Sequence, residues 1–219
     1  VKFNIEKELA KELNLKVGQV QRTVDLFDEG NTIPFIARYR KEVTGSLNEE
    51  QLRELVERLD YLRRLEGRKE EVINSIDKQD KLTEELEIKI RQATQLQEVE
   101  DLYRPYKQKR MTRATKAKER GLEPLADLFL KQELTSGNVQ DLAKKYVDLE
   151  KELESIEDVL QGVRDIIAEY IADDPYSRKT ARKLTFEYGS LVSESKVEER
   201  TDYEIYYDYQ EGIKKVRPH

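Results

Sequence analysis

The sequence predicts a mostly α fold: a multi-helix elongated scaffold with an N-terminal helix-turn-helix-like pair, a long helical hairpin, and a short extended or β segment near the C-terminus. Three observations carry that expectation. Leu, Ile and Val recur at three- and four-residue steps through most of the 219 residues, the spacing of one helix face. Charged residues make up 39% of the chain and hydrophobic ones 37%, a balance that suits thin helical modules with much solvated surface. Two-residue alternation, the mark of a strand, begins only after Gly189.

The elements follow in order. Ile5, Leu9 and Leu13 share one face, Asn14-Leu15-Lys16 interrupts, and Val17, Val20, Val24, Leu26 and Phe27 resume the pattern. Two short helices with this spacing resemble a helix-turn-helix. The second would bring Gln19, Gln21 and Arg22 to a groove, but also Asp25, Asp28 and Glu29, which repel a DNA backbone. Gly30 suits a helix end, Thr32 a cap with Pro34 in the first turn, and Gly45 a break. Ser46 and Glu49 are spaced as a capping box. Leu52, Leu55, Val56, Leu59, Leu62 and Leu65 then run to Gly67, which weakens the stripe, and Val72, Ile73 and Ile76 continue it.

A loop at 77–81 leads to a helix carrying Leu86, Ile90, Ala93, Leu96 and Val99, so the two long segments form an antiparallel hairpin. The same spacing would serve a coiled-coil seam, but the irregular stripe and Gly67 favour an intramolecular partner. Pro124 starts a helix bearing Leu125, Leu128 and Phe129. Ile156, Val159, Leu160, Val163, Ile166, Ile167 and Ile171 form the strongest stripe, ended by Asp173-Asp174-Pro175, where Asp174 can cap the next helix. LVSESKV and DYEIYYDYQ close the chain with alternating character.

Composition narrows the chemistry. There is no cysteine, and His219 is the one histidine, so Cys/His zinc sites and a Ser-His-Asp triad are not expected. The scattered glycines form no phosphate-binding loop. The pairs Glu49/Glu50, Glu84/Glu85 and Glu198/Glu199 sit in charge-mixed sequence and read as solvated faces. No catalytic residue, metal or cofactor is expected, and neither is enzymatic activity. No long apolar run suggests a membrane span, and a cytoplasmic location is expected.

One segment stands against the formal net charge of -6. YRPYKQKRMTRATKAKERG, residues 103–121, holds Arg104, Lys107, Lys109, Arg110, Arg113, Lys116, Lys118 and Arg120 against the single acid Glu119. Such cations suit backbone phosphate, and Tyr103 and Tyr106 could stack on bases. Pro105 favours an extended lead-in, Thr112 can cap, and Gly121 can end a helix over 113–120. On it Arg113, Lys116 and Arg120 share a stripe, beside Ala114 and Ala117, which would let a partner surface approach closely. The alternative partners are an acidic face of the same chain and another protein.

Four stretches together resemble the Tex family of bacterial transcription accessory proteins: EGNTIPFIARYRKEVTGSLNEEQL (29–52), EVEDLYRPYKQKRMTRATKAKERGLEPLA (98–126), ESIEDVLQGVRDIIAEYIADD (154–174) and YYDYQEGIKKVRPH (206–219). Gln108 and Met111 look like departures from the Pro and Arg commoner in that family's basic motif. The resemblance implies the N-terminal helical region of a longer protein that continues into an RNase-H-like domain, helix-hairpin-helix elements and an OB-fold RNA-binding module. It further implies similarity to a eukaryotic transcription elongation factor, and ascribes much nucleic-acid binding to the C-terminal module. Residues 1–190 are then expected as the helical domain (1–45 helix-turn-helix-like, 46–100 hairpin, 101–130 basic loop and short helices, 131–190 C-terminal helices). Residues 191–219 are expected to lead towards the RNase-H-like domain. The expected partners are RNA or DNA, mainly through the full-length protein, the transcription machinery, and the remaining domains in cis. The rival expectation is a purely structural scaffold that docks those domains or transcription partners.

Overall fold

The structure is a computed structural model that describes residues 3–108, 111–132, 137–196, 199 and 201–216. It divides into two compact units, residues 1–100 and 101–219. Both are helical.

The first unit opens with α1 (Ile5–Glu12), whose Asn4 cap accepts the Lys7 N–H at 2.7 Å. Asn14, at φ 53, turns the chain into α2 (Val17–Asp28). Gly30, at φ 85, ends that helix in the left-handed conformation glycine adopts without cost. Two short helices follow, α3 (Ile33–Tyr39) and α4 (Lys41–Thr44), with Arg40 as the junction. The expected Ser46 capping box does not form. Gly45 and Ser46 are both at positive φ, so the chain is still turning there while Leu47 drops into the core. The cap is Asn48 instead, which accepts from Gln51 N–H (2.9 Å) while its own N–H donates to Gln51 Oε1 (3.0 Å).

From this cap α5 (Glu49–Asp77) runs for 29 residues, about 43 Å at the α-helical rise. It does not break at Gly67, where a methyl group would meet nothing within 4 Å. Its buried edge, Leu52, Leu55, Leu59, Leu62, Leu65, Val72, Ile73 and Ile76, forms the floor of the core with Leu9, Val20, Val24 and Ile36. Lys69 is buried on this edge as well, and its ammonium donates to Glu66 Oε1 (2.7 Å) and the Arg91 carbonyl (2.9 Å). The single helix expected beyond the 77–81 loop is two, α6 (Glu84–Gln92) and α7 (Leu96–Tyr103). Ala93 turns extended, the Leu96 N–H donates to Tyr61 Oη (3.3 Å), and Glu98 accepts the Thr94 N–H (2.9 Å). These bonds replace the intrahelical ones that a continuous helix would have made.

The boundary between units falls within α7. The second unit continues through a 3-10 turn at Arg104–Tyr106, then α8 (Arg113–Glu119), α9 (Glu123–Lys131), α10 (Val139–Lys144), α11 (Ile156–Asp173) and α12 (Pro175–Tyr188). The lead-in at Pro105 is thus a tight turn, not extended: proline's fixed φ suits a first helical turn, where its missing N–H is not needed. A Ser155–Asp158 capping box starts α11, and Asp174 caps α12 by accepting the Ser177 N–H at 2.7 Å. Val159, Val163 and Ile166 of α11 pack against Ala114, Ala117, Leu122, Leu125 and Ala126 of α8, α9 and their connection. Finally β1 (Ser190–Glu194) pairs antiparallel with β2 (Asp208–Gly212), Ser190 opposite Gly212 and Glu194 opposite Asp208. Tyr203 and Ile205 lie outside the strands, at and beside a 3-10 turn.

Candidate nucleic-acid interface

The basic segment is fastened at its start by an arginine–aspartate cluster. Asp101, on α7, is only 4% exposed and accepts from Arg178 Nε (2.9 Å) and Arg182 Nη1 (3.2 Å), both on α12. Arg178 also donates to the Ala172 carbonyl at the end of α11 (3.1 Å). Arg104 donates from Nε to the buried Asp173 at 2.9 Å. A carboxylate taken out of water is tolerable only when charge-assisted bonds of this kind surround it. The sequence carried no local signal for this cluster, whose partners stand 69 to 81 residues apart.

Helix α8 is the next fixed piece. Thr112 caps it, accepting the Thr115 N–H at 3.0 Å and donating to Glu169 Oε2 at 3.0 Å. Ala114 and Ala117 are each 3% exposed, so the small-residue face is spent on α11 of the same unit and not on an outside surface. Gly162 lets this happen: a methyl group there would sit 2.4 Å from Leu122 Cδ1 and 3.2 Å from Ala117 Cβ.

The cations then separate into two groups. Lys118 is held inward, 3.7 Å from both Glu123 and Glu169 and 4.4 Å from the centre of the Tyr170 ring. Burial, and secondarily donation to Glu123 Oε1 (2.5 Å), pushes the Tyr170 phenol well above its usual range, so it stays neutral. Arg104 is tied to Asp173, and Arg120 pairs with Glu152. Arg113, by contrast, is 85% exposed and touches Asp165 only at 3.7 Å. Lys107 and Lys116 are exposed, and no carboxylate among the described residues lies within 4.0 Å of either ammonium. Tyr103 and Tyr106 are half-buried. Lys109 and Arg110 lie outside the described residues.

A cavity of about 500 Å³ adjoins the segment, lined by Lys107, Thr115, Lys118, Glu169, Tyr170, Asp173 and Asp174 among others. Three carboxylates against two ammoniums make it a poor phosphate pocket. The exposed cations of the segment are Arg113 and Lys116, one turn apart on α8, and Lys107 at the edge of this cavity.

In the first unit the helix-turn-helix-like pair is built as expected, but its groove-reading residues are occupied. Gln19 donates to the Thr44 carbonyl (2.6 Å) and Arg22 to the Val43 carbonyl (3.0 Å), satisfying the open end of α4. Among the described residues no helix is long and apolar enough to cross a membrane, and no group of three or more His, Asp or Glu could hold a metal.

Two family models match the chain: the Tex-like protein N-terminal domain over residues 3–77, and the Tex central region-like model over residues 135–219. The chain is similar to the Bacillus subtilis protein YdcI, 48% identical over 219 residues, covering 98% of this chain and 30% of the relative. It is similar to the transcriptional accessory protein Tex of Neisseria gonorrhoeae, 40% identical over 220 residues, 99% of this chain and 28% of that protein. More distantly it resembles human S1 RNA-binding domain-containing protein 1, 31% identical over 183 residues, 83% of this chain and 18% of that protein. The chain therefore spans less than a third of the length of these relatives.

Proposed function

The chain belongs to the Tex family, and from that membership we propose that it is the N-terminal scaffold module of a nucleic-acid-binding transcription accessory protein. Its own contribution is a weak, sequence-independent contact with backbone phosphate, made by the outer face of the 103–121 segment. The observation that carries this reading is the exposure of Lys107, Arg113 and Lys116: no carboxylate among the described residues lies within 4.0 Å of either lysine, and Arg113 holds Asp165 only at 3.7 Å with its own side chain 85% exposed. Exposed ion pairs are worth about 0–1 kcal/mol, so Arg113 can exchange its distant Asp165 for a phosphate at little cost. The name of the human relative supports counting RNA among the ligands. No catalytic step is assigned to the module.

The test is a triple variant, Lys107→Ala with Arg113→Ala and Lys116→Ala, titrated with single- and double-stranded DNA and RNA at low salt. Loss of most of the binding supports the reading. Binding equal to the parent chain rejects it.

A second reading, a docking scaffold, is favoured by a separate observation. Helix α12 buries none of its residues, and Leu184, Phe186, Leu191, Val192, Tyr203 and Ile205 are all at least 48% exposed. In this reading that surface takes another protein surface, such as a further domain of the longer family protein. Leu184→Asp and Ile205→Asp would then abolish association with separately expressed remaining domains of a family member. Unchanged association would set this reading aside.

A further inference from the structure

The turn between α3 and α4 carries a second cationic surface. Its sequence, Phe35-Ile36-Ala37-Arg38-Tyr39-Arg40-Lys41, lies in one of the long motifs, yet neither the basic segment nor the helix-turn-helix reading accounts for it. Elsewhere in the first unit, Arg53, Arg58, Arg63, Arg68 and Arg91 each hold a carboxylate. Arg38, Arg40 and Lys41 hold none within 4.0 Å among the described residues, although the chain has 46 acids to 40 Lys and Arg. Arg38 and Lys41 are exposed. Tyr39 is 61% exposed.

The turn is also ordered from within. Arg40 lies over the Phe35 ring, 5.2 Å from its centre, and its Nη1 donates to the Tyr39 carbonyl at 3.0 Å. Phe35 and Tyr39 rings pack with centroids 5.3 Å apart at 49°. The α4 end of the turn is held by Gln19 and Arg22. An exposed ring on a fixed turn, beside cations that hold no carboxylate, is the combination that binds a single strand: cations follow the phosphates while an unstacked base lies on the ring.

We propose that Arg38, Tyr39, Arg40 and Lys41 form a contact for single-stranded nucleic acid, with Tyr39 stacking on a base and Arg38 and Lys41 meeting the adjoining phosphates. The proposal rests on the reading that nucleic acid is the partner of this family, but not on the 103–121 segment. A duplex presents no free base face, so Tyr39 contributes only to single-stranded binding. Glu42, exposed in the same turn, opposes the phosphates.

Two kinds of change separate the roles. Tyr39→Ala should weaken binding of a labelled oligo-U or oligo-dT by about 5-fold or more, with the salt slope unchanged, and should leave duplex binding unaffected. Tyr39→Phe should restore it. The Arg38→Ala, Lys41→Ala pair should lower the slope of log affinity against log salt by about 1.4 for a single strand. Glu42→Gln should tighten binding. Circular dichroism of each variant should match the parent, since these side chains are on the surface. If Tyr39→Ala binds single strands as tightly as the parent while the Lys107/Arg113/Lys116 variant does not, this proposal is wrong and the segment reading stands. The reverse result upholds the turn and removes the segment. If the parent chain binds no single strand at all, both fall.

Discussion

Gly162 is the position where the packing beneath the basic segment can be tested most sharply. A glycine inside a helix ordinarily costs about 1 kcal/mol relative to alanine, so Gly162→Ala ought to stabilise α11 by that amount. The geometry says otherwise. The new Cβ would lie 2.4 Å from Leu122 Cδ1 and 3.2 Å from Ala117 Cβ, where carbon atoms pack best at about 3.5–4.0 Å. Leu122 is fully buried and Ala117 belongs to the backbone-close face of α8, so relief requires α8 to shift or Leu122 to leave its rotamer. Overpacking of this kind costs about 1–3 kcal/mol. Gly67, also mid-helix but with nothing within 4 Å, is the internal reference, and Gly67→Ala should stabilise the first unit by about 0.5–1 kcal/mol. The helix-propensity gain is common to both, so the two variants should differ by about 1–3 kcal/mol, the overpacking alone. Native-state hydrogen exchange of α5 and α11 amides reads each unit separately. Equal stabilisation at both positions would refute the close α8–α11 contact.

Other outcomes follow from the ion pairs. Asp101→Ala should destabilise the second unit by roughly 1–3 kcal/mol, less than a fully buried pair because Arg178 and Arg182 can reach water once released; chemical denaturation checks it. In the first unit, hydrogen bonds from Arg58 hold Glu12 below its ordinary 4.5, and those from Arg63 hold Asp28 below its ordinary 3.8. Lowered folded pKa values mean these pairs contribute stability at neutral pH and lose it as pH falls through the depressed values. Glu12→Gln with Asp28→Asn should therefore be less stable than the parent at neutral pH and converge with it in acid. A gap that persists in acid would contradict the assignment.

The local parts of this fold were legible because their signals are local. Thr112, Gly121 and Asp174-Pro175 mark α8 and α12 by the needs of a few neighbouring backbone groups, and each performs the role its position suggests. Ser46 misleads because the burial of Leu47, a tertiary fact, delays the helix to Asn48. The break at 93–95 is equally remote in origin, since the Leu96 amide is claimed by Tyr61. In the candidate interface, counting charge located the segment but could not sort its cations. Arg104 meets Asp173 and Lys118 meets Glu169 only after α11 packs on α8, and no periodicity encodes those meetings. The alanines of α8 suggest an approach surface for a partner, and the surface they meet is α11 of the same unit, with Ala117 beside Gly162.

The proposed function requires that this chain itself touch nucleic-acid phosphate. The most direct measurement is the affinity of the isolated chain for a single-stranded oligonucleotide across a salt series. With Lys107, Arg113 and Lys116 engaged, log affinity should fall against log salt with a slope of about 2 from these three contacts, and more if Arg38 and Lys41 also bind. Absence of binding at low salt, or an affinity that does not change with salt, would rule out a phosphate contact by this chain.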